Sequence, residues 1–252
     1  MPLYSPTSPL PKNRMMQRTF NPSRVAGLQL WLDATKGLFD ATSGGNPVTT
    51  DGATIARWED QSSSGYSVTQ NTEANKPILK TGIRNSKNII RFDGSNDILV
   101  SANIPDNNLL ILTAFVVGNP IGLGGNNAGR MFERGTGITN LFMNFGSGIS
   151  MIGGGGQVSG GSAPIGSFYL FGARLSGVGN STTTLRINKT LVATGNTASA
   201  PSTANTTYQI GNRTDLARAF NGDIAELIIY NQALTAEQID KVEAYLSAKW
   251  GF

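Results

Sequence analysis

Neither cysteine nor histidine occurs anywhere in the 252 residues. Without cysteine there is no disulfide framework, no zinc–thiolate site and no thiol nucleophile. Without histidine the commonest general base and transition-metal ligand are gone, and a Ser-His-Asp triad cannot be built. From these two absences the expectation is that the chain is not an enzyme. Charge is scarce as well. Only 14% of the residues are Asp, Glu, Lys or Arg, which suits a surface of neutral polar loops. No stretch approaches the roughly 20 apolar residues of a membrane span, so no membrane partner is expected. Residues 1–20 carry prolines at 2, 6, 9 and 11 and no apolar run, so no secretory signal is read there.

The charge that is present is unevenly placed. The formal net charge is +4, and residues 1–24 hold Lys12, Arg14, Arg18 and Arg24 with no acid. The sixteen remaining basic residues balance the sixteen acids, so the basicity belongs to the N-terminal segment. Its prolines bar regular helix and favour extended backbone. Residues 1–26 are therefore read as an extended, basic, Pro-rich arm. Such an arm orders only where something holds it, either its own domain or a neighbouring subunit. The residues expected to bind that partner are Leu10, Lys12, Arg14, Met15, Met16, Arg18 and Phe20. The charges are sparse and, apart from Phe20, have no aromatic interleaved, so direct nucleic-acid binding is not expected.

From residue 27 the pattern changes. Leu28, Leu30 and Leu32 alternate with polar or wider residues, the period of a strand. Further strands are expected at 89–92, 98–100, 109–118, 131–133, 138–145, 168–174, 183–187, 190–193, 208–211 and 224–230. Many short strands separated by Gly, Asn and Ser clusters indicate an all-β sandwich or barrel. Asn188-Lys189 is expected to turn a hairpin, of a type left open because lysine suits the second position of a type I′ turn poorly. The stretch 146–161, with four consecutive glycines, reads as a long loop; no Lys-Ser or Lys-Thr follows, so it is not a phosphate-binding loop. Thr235-Ala236-Glu237-Gln238 has the form of a capping box, with Leu234 and Ile239 placed as a hydrophobic staple. Ile239, Val242, Leu246 and Trp250 then share one face of a short C-terminal helix.

Four segments in order carry a family resemblance. They are Leu30-Trp31-Leu32-Asp33-Ala34, Trp58-Glu59-Asp60-Gln61-Ser62, Arg91-Phe92-Asp93-Gly94 with Asp97, and Gly222-Asp223-Ile224-Ala225-Glu226 running on to Tyr230. Together with the closing helix they resemble laminin-G-like domains of the concanavalin A-like lectin/glucanase superfamily, over residues 27–252. The resemblance implies a two-sheet antiparallel jelly-roll sandwich with one short C-terminal helix, the extended arm lying outside it. Domains of this kind occur in glycan-binding modules, adhesins, glycosidases and phage virion proteins, and the fold alone does not choose among them.

Candidate sites are few. Catalytic relatives carry Glu-x-Asp-x-x-Glu, and here Asn221 stands in place of the leading Glu. Asp223 and Glu226 are three apart, which sends them to opposite faces of a regular strand; no catalytic residue is assigned. Asp93 and Asp97, with Asp106, are candidate calcium ligands, set against a simple turn role for Asp93; no other cofactor is expected. Trp31 and Trp58 read as core. Phe39 and Tyr66, on loops, are the candidate glycan contacts. The leading expectation is a non-catalytic phage virion protein, made in the host cytoplasm, that decorates or cements a capsid or attaches on a tail. Its partners would be other virion proteins, such as the major capsid protein, and copies of itself. The alternative is a carbohydrate-binding module, in a receptor-binding fibre or adhesin, that takes a host surface glycan.

Overall fold

The computed structural model describes residues 20–105, 111–134, 141–145, 148–153, 156–177, 179–197 and 206–252. In chain order the first strands are β1 (Leu28–Asp33), β2 (Leu38–Phe39), β3 (Arg57–Trp58), β4 (Val68–Thr69), β5 (Ile78–Arg84), β6 (Lys87–Asp93), β7 (Leu99–Ser101) and β8 (Ile111–Pro120). Then come β9 (Gly129–Arg134), β10 (Leu141–Phe145), β11 (Ile149–Gly153), β12 (Gly156–Gly160) and β13 (Tyr169–Ser176). The last are β14 (Gly179–Ile187), β15 (Thr190–Thr197), β16 (Tyr208–Ile210) and β17 (Asn221–Tyr230), followed by helix α1 (Ala236–Trp250).

The strands form two antiparallel sheets. Sheet A runs β15-β14-β13-β8-β17-β6-β5, and β1 joins it along the second half of β17. Sheet B runs β12-β11-β10-β9-β16-β7-β4-β3-β2. Apolar side chains of alternate residues meet between them. Leu30, Leu32, Trp58, Phe132, Tyr208 and Leu227 belong to this inter-sheet core, as the period of two demands. The other face of sheet A is also apolar, with Trp31, Phe115, Val117 and Ile228 packed beneath α1. Strands buried on both faces explain why β8 and β17 read as near-continuous apolar runs.

Helix α1 begins as its sequence dictates. The Thr235 hydroxyl accepts from the Gln238 amide at 3.3 Å, and Gln238 Oε1 accepts from the Thr235 amide at 2.9 Å. It ends at Gly251 in the left-handed conformation, φ +75°. Ile239, Val242, Leu246 and Trp250 are buried.

One expectation is corrected and one open point is answered. The stretch 146–161 is not one long loop. β11 and β12 pair as a hairpin in which Gly153 faces Gly156, with Ile149, Met151 and Val158 buried. Glycines there allow close approach: a Cβ on Gly160 would lie 2.7 Å from Ala193, so the edge strands of the two sheets meet on this side. The Asn188-Lys189 turn has both residues at positive φ, 48° and 69°, which makes it type I′ despite the lysine. Asn85-Ser86 repeats the geometry between β5 and β6.

The arm expected over 1–26 is docked at its end. Val25 is buried under the helix layer, and Phe20 packs against it. The Pro22 carbonyl accepts from the Tyr230 hydroxyl at 3.0 Å. Phe20 to Val25 therefore sit with the sandwich. Leu10, Lys12, Arg14, Met15, Met16 and Arg18 lie outside the described residues.

Candidate functional site

The inward residues of sheet B fix what its outer face presents. Leu38, Trp58, Val68 and Leu99 point into the inter-sheet core. Their neighbours Phe39, Arg57, Thr69 and Val100 therefore face outward. The strand register sets them side by side, Phe39 opposite Arg57, Arg57 opposite Thr69 and Thr69 opposite Val100. The row continues through Gln209 to Glu133. Arg57 stacks on the Phe39 ring, 4.1 Å from its centroid. Its Nη1 donates to the Ala41 carbonyl at 3.1 Å, and Nη2 lies 3.3 Å from Glu59. The loop after β2 thus curls over the guanidinium. Beside it opens a cleft of about 360 Å³ lined by Thr42, Thr69, Gln70, Asn71 and Val100. Hydroxyls and amides dominate this lining. Thr42 and Asn71 are exposed, and no hydrogen bond engages their side chains among the described residues.

Of the two aromatic candidates, Phe39 borders this region. Tyr66 is half-buried and packs in part against the inter-sheet core. Sequence reasoning missed Arg57, Thr69, Gln70 and Asn71. No pattern marks them, since β3 and β4 are two residues each.

Asp93 and Asp97 form a turn. Asp93 Oδ1 accepts from the amides of Ser95 and Asn96, at 2.8 and 3.2 Å, and Asp97 Oδ2 accepts from the Asp93 amide at 2.9 Å. Gly94 supplies the positive φ, +78°. Asp106 lies outside the described residues. Burial pushes the Asp97 carboxyl up to about 6, against the pull of the Asp93 amide. A folded value above the unfolded one means the folded state keeps a proton that the unfolded state releases. Stability therefore falls as pH rises from about 4 through 6. Asp97→Asn removes that penalty. It should stabilise the fold by on the order of 1–3 kcal/mol at pH 8, with little effect at pH 4. Urea denaturation at the two pH values measures this, and an equal effect at both would exclude it.

The carboxylates of β17 hold a different arrangement from the expected one. The register against β8 shifts between Ile224 and Glu226, a bulge that makes Ala225 the extra residue. Ile224 and Leu227 point into the inter-sheet core, whereas Ala225 and Ile228 point to the helix side. Asp223 and Glu226 consequently share the outer face of sheet A. The expectation of opposite faces fails because it assumed an unbroken period of two.

Each carboxylate is engaged. Arg91 binds Asp223 through Nε at 2.7 Å and Nη2 at 3.1 Å, and Asn119 Nδ2 donates to it at 3.0 Å. Glu226, fully buried, accepts from Trp31 Nε1 at 2.7 Å, Tyr245 Oη at 2.9 Å and Trp250 Nε1 at 2.6 Å. Lys249 Nζ lies 2.8 Å from Glu226 and 2.6 Å from Asp33. Burial raises the Glu226 carboxyl above the usual range, and Lys249 opposes the rise.

A family model described as the concanavalin A-like lectin/glucanases superfamily matches residues 113–240. A search of the curated proteins finds no match. Among solved structures, a Trypanosoma rangeli sialidase is 15% identical with a TM-score of 0.54, covering 90% of this chain and 33% of its own. A GH54 α-L-arabinofuranosidase is 14% identical with a TM-score of 0.58, covering 78% and 51%. An arabinofuranosidase solved with arabinofuranosyl-α-1,2-xylobiose is 13% identical with a TM-score of 0.55 and the same coverage. The chain thus spans a third to about half of the length of these structures. At such identities the likeness is one of fold.

These matches correct the expectation that the chain is not an enzyme. The sialidase and arabinofuranosidases among the matching structures are glycoside hydrolases, and that chemistry commonly runs on paired carboxylates rather than on histidine or cysteine. The missing residue types therefore exclude nothing here, and the bulge removes the opposite-face argument.

Proposed function

The chain belongs to the concanavalin A-like lectin/glucanases superfamily, and on that premise we propose that it recognises carbohydrate in the cleft on the outer face of sheet B. The observation that carries this reading is the lining itself. Thr42 and Asn71 offer hydroxyl and amide groups beside the Phe39–Arg57 stack, and Thr69 and Gln70, bonded to the Val100 and Ile98 carbonyls, complete the polar lining. A pocket with a few convergent polar groups and an adjoining aromatic is what a sugar's ring face and hydroxyls require.

A glycan array with the full chain tests it. Asn71→Ala combined with Thr42→Ala should weaken binding at least tenfold with no change in melting temperature, because these side chains are exposed and make no hydrogen bond among the described residues. Binding unchanged in the double variant would place the site elsewhere, and a blank array would remove the reading. Release of reducing ends, measured alongside, decides whether the bound sugar is also cleaved. Attachment of the chain to a virion through Leu10 to Phe20 stands as a separate proposal. Its one described residue, Phe20, contacts Tyr245 with ring centroids 6.1 Å apart.

A further inference from the structure

The outer face of sheet B does not end at the cleft. Val100, which lines it, neighbours Gln209 on β16, and Gln209 neighbours Glu133 on β9. The chain between β16 and β17 arches over these two residues. Thr214 donates its amide to Gln209 Oε1 at 2.9 Å, and Gln209, Glu133 and Arg130 are buried beneath. The arch brings arginines together. Arg213 pairs with Asp215 through Nε at 2.8 Å and through its second nitrogen. Arg130 pairs with Glu133 at 3.2 Å. Arg218 is the third cation of the group. Its backbone is held firmly: its amide donates to Asn212 Oδ1 at 3.1 Å, and its carbonyl accepts from the Arg130 amide at 2.9 Å. Its guanidinium has no hydrogen bond or ion pair among the described residues, and its Nε is buried.

Among the described residues of the arch and the strands beneath it, three arginines thus stand against two carboxylates. The surplus is felt within the group, for the charges of Arg218 and Arg213 add to burial in drawing the Arg130 guanidinium down to about 10. The same arch holds a second donor without an acceptor, buried beneath its backbone. Asn212 is fully buried, and its Oδ1 accepts from the amides of Arg213 and Arg218, which fixes the orientation of the amide. Its Nδ2 is left without a partner. Buried donors without acceptors are costly, and a cation without a counter-ion adds to that cost.

We infer that the Asn212–Arg218 arch is an anion subsite and that the glycan taken by the neighbouring cleft is acidic, carrying a carboxylate or sulfate that Arg218, the half-buried cation of the arch, binds. The inference rests on the carbohydrate reading of the cleft. The neutral hydroxyl-and-amide lining takes the sugar rings, and the arch, one strand away, takes the charge. A charge-assisted bond to Arg218 fits either anion.

Titration calorimetry on the full chain with two matched pairs of probes tests it. One pair is oligogalacturonate and its methyl ester; the other is sulfated and unsulfated galactan oligosaccharide. The acidic member of at least one pair should bind ten times or more tighter than its neutral mate, with a preference that shrinks as salt is added. The pair that responds identifies the anion. Arg218→Gln should abolish the preference and leave neutral binding unchanged, with a melting temperature equal or higher, since among the described residues the side chain makes no hydrogen bond or ion pair. Arg218→Lys should retain most of it. If acidic and neutral members bind alike, or if Arg218→Gln keeps the preference, the subsite is overturned while the cleft stands. If no member of either pair binds and the array is also blank, the carbohydrate reading falls with it.

Discussion

Glu226→Ala is expected to cost about 3–5 kcal/mol of stability, the range for breaking a buried, hydrogen-bonded ion pair from one side. The carboxylate collects donors from both ends of the described chain. Trp31 comes from β1, and Tyr245, Lys249 and Trp250 come from α1. Removing it leaves two indole N–H groups and a phenol without their acceptor and takes from Lys249 one of its two carboxylate partners, leaving Asp33. Glu226→Gln, which keeps one acceptor oxygen, should cost less than the alanine. Urea denaturation monitored by tryptophan fluorescence reads both, because two of the three tryptophans donate to this group. A loss below ~1 kcal/mol for the alanine variant would show that apolar packing alone holds the helix.

Leu246→Ala carries the second large effect. Leu246 is fully buried in the layer between α1 and sheet A, with Val242 and Trp250 on the same face. Core leucine truncations cost roughly 2–5 kcal/mol, through lost transfer energy and the cavity left behind. The same denaturation measurement also tests cooperativity. A single transition shifted to lower urea, with an unchanged slope, means that α1 and the sandwich unfold together. An effect within ~0.5 kcal/mol, or a separate early transition, would make the helix an appendage.

The legible parts of the molecule were those whose pattern is local and long. β1 and β17 show in the alternation of Leu28 to Leu32 and the apolar run from Ile224 to Tyr230. The start of α1 shows in Thr235 and Gln238, whose side chains and backbones satisfy each other with no help from the rest of the fold. Other parts depend on partners far away in sequence. Two residues such as Arg57-Trp58 carry no period, so β3 and β4 exist only because β2 and β7 flank them. The pairing of β11 with β12 was obscured by the run of glycines at 153–156, and Gly160 and Gly161, which lie close against β15, add to the loop-like composition. Nothing in Asp-Ile-Ala-Glu announces a bulge, yet that one extra residue decides which face Asp223 shares. The candidate site was the least legible. Phe39 could be named, but the cleft arises from β4, β7 and the loop after β2 meeting on one face. The arginine arch depends on Asn212 turning the chain back over β16 and β9.

The placement of β17 bears on the order in which the molecule can assemble. This strand lies between β8 on one edge and both β6 and β1 on the other. Until residues 221–230 have left the ribosome, sheet A is three separate pieces, β15-β14-β13-β8, β6-β5 and β1 alone, each with unpaired backbone along the gap. Closing that gap joins residue 28 to residue 230, a loop of about two hundred residues, whose entropy must be met before the pairing gives anything back. Folding is therefore expected to be slow, in the class dominated by non-local pairing. The unfilled gap is also a ready edge for another strand of the right length. A nascent chain stalled before residue 221 would be prone to pair with its neighbours. The complete one closes the gap itself, and α1 then covers the seam.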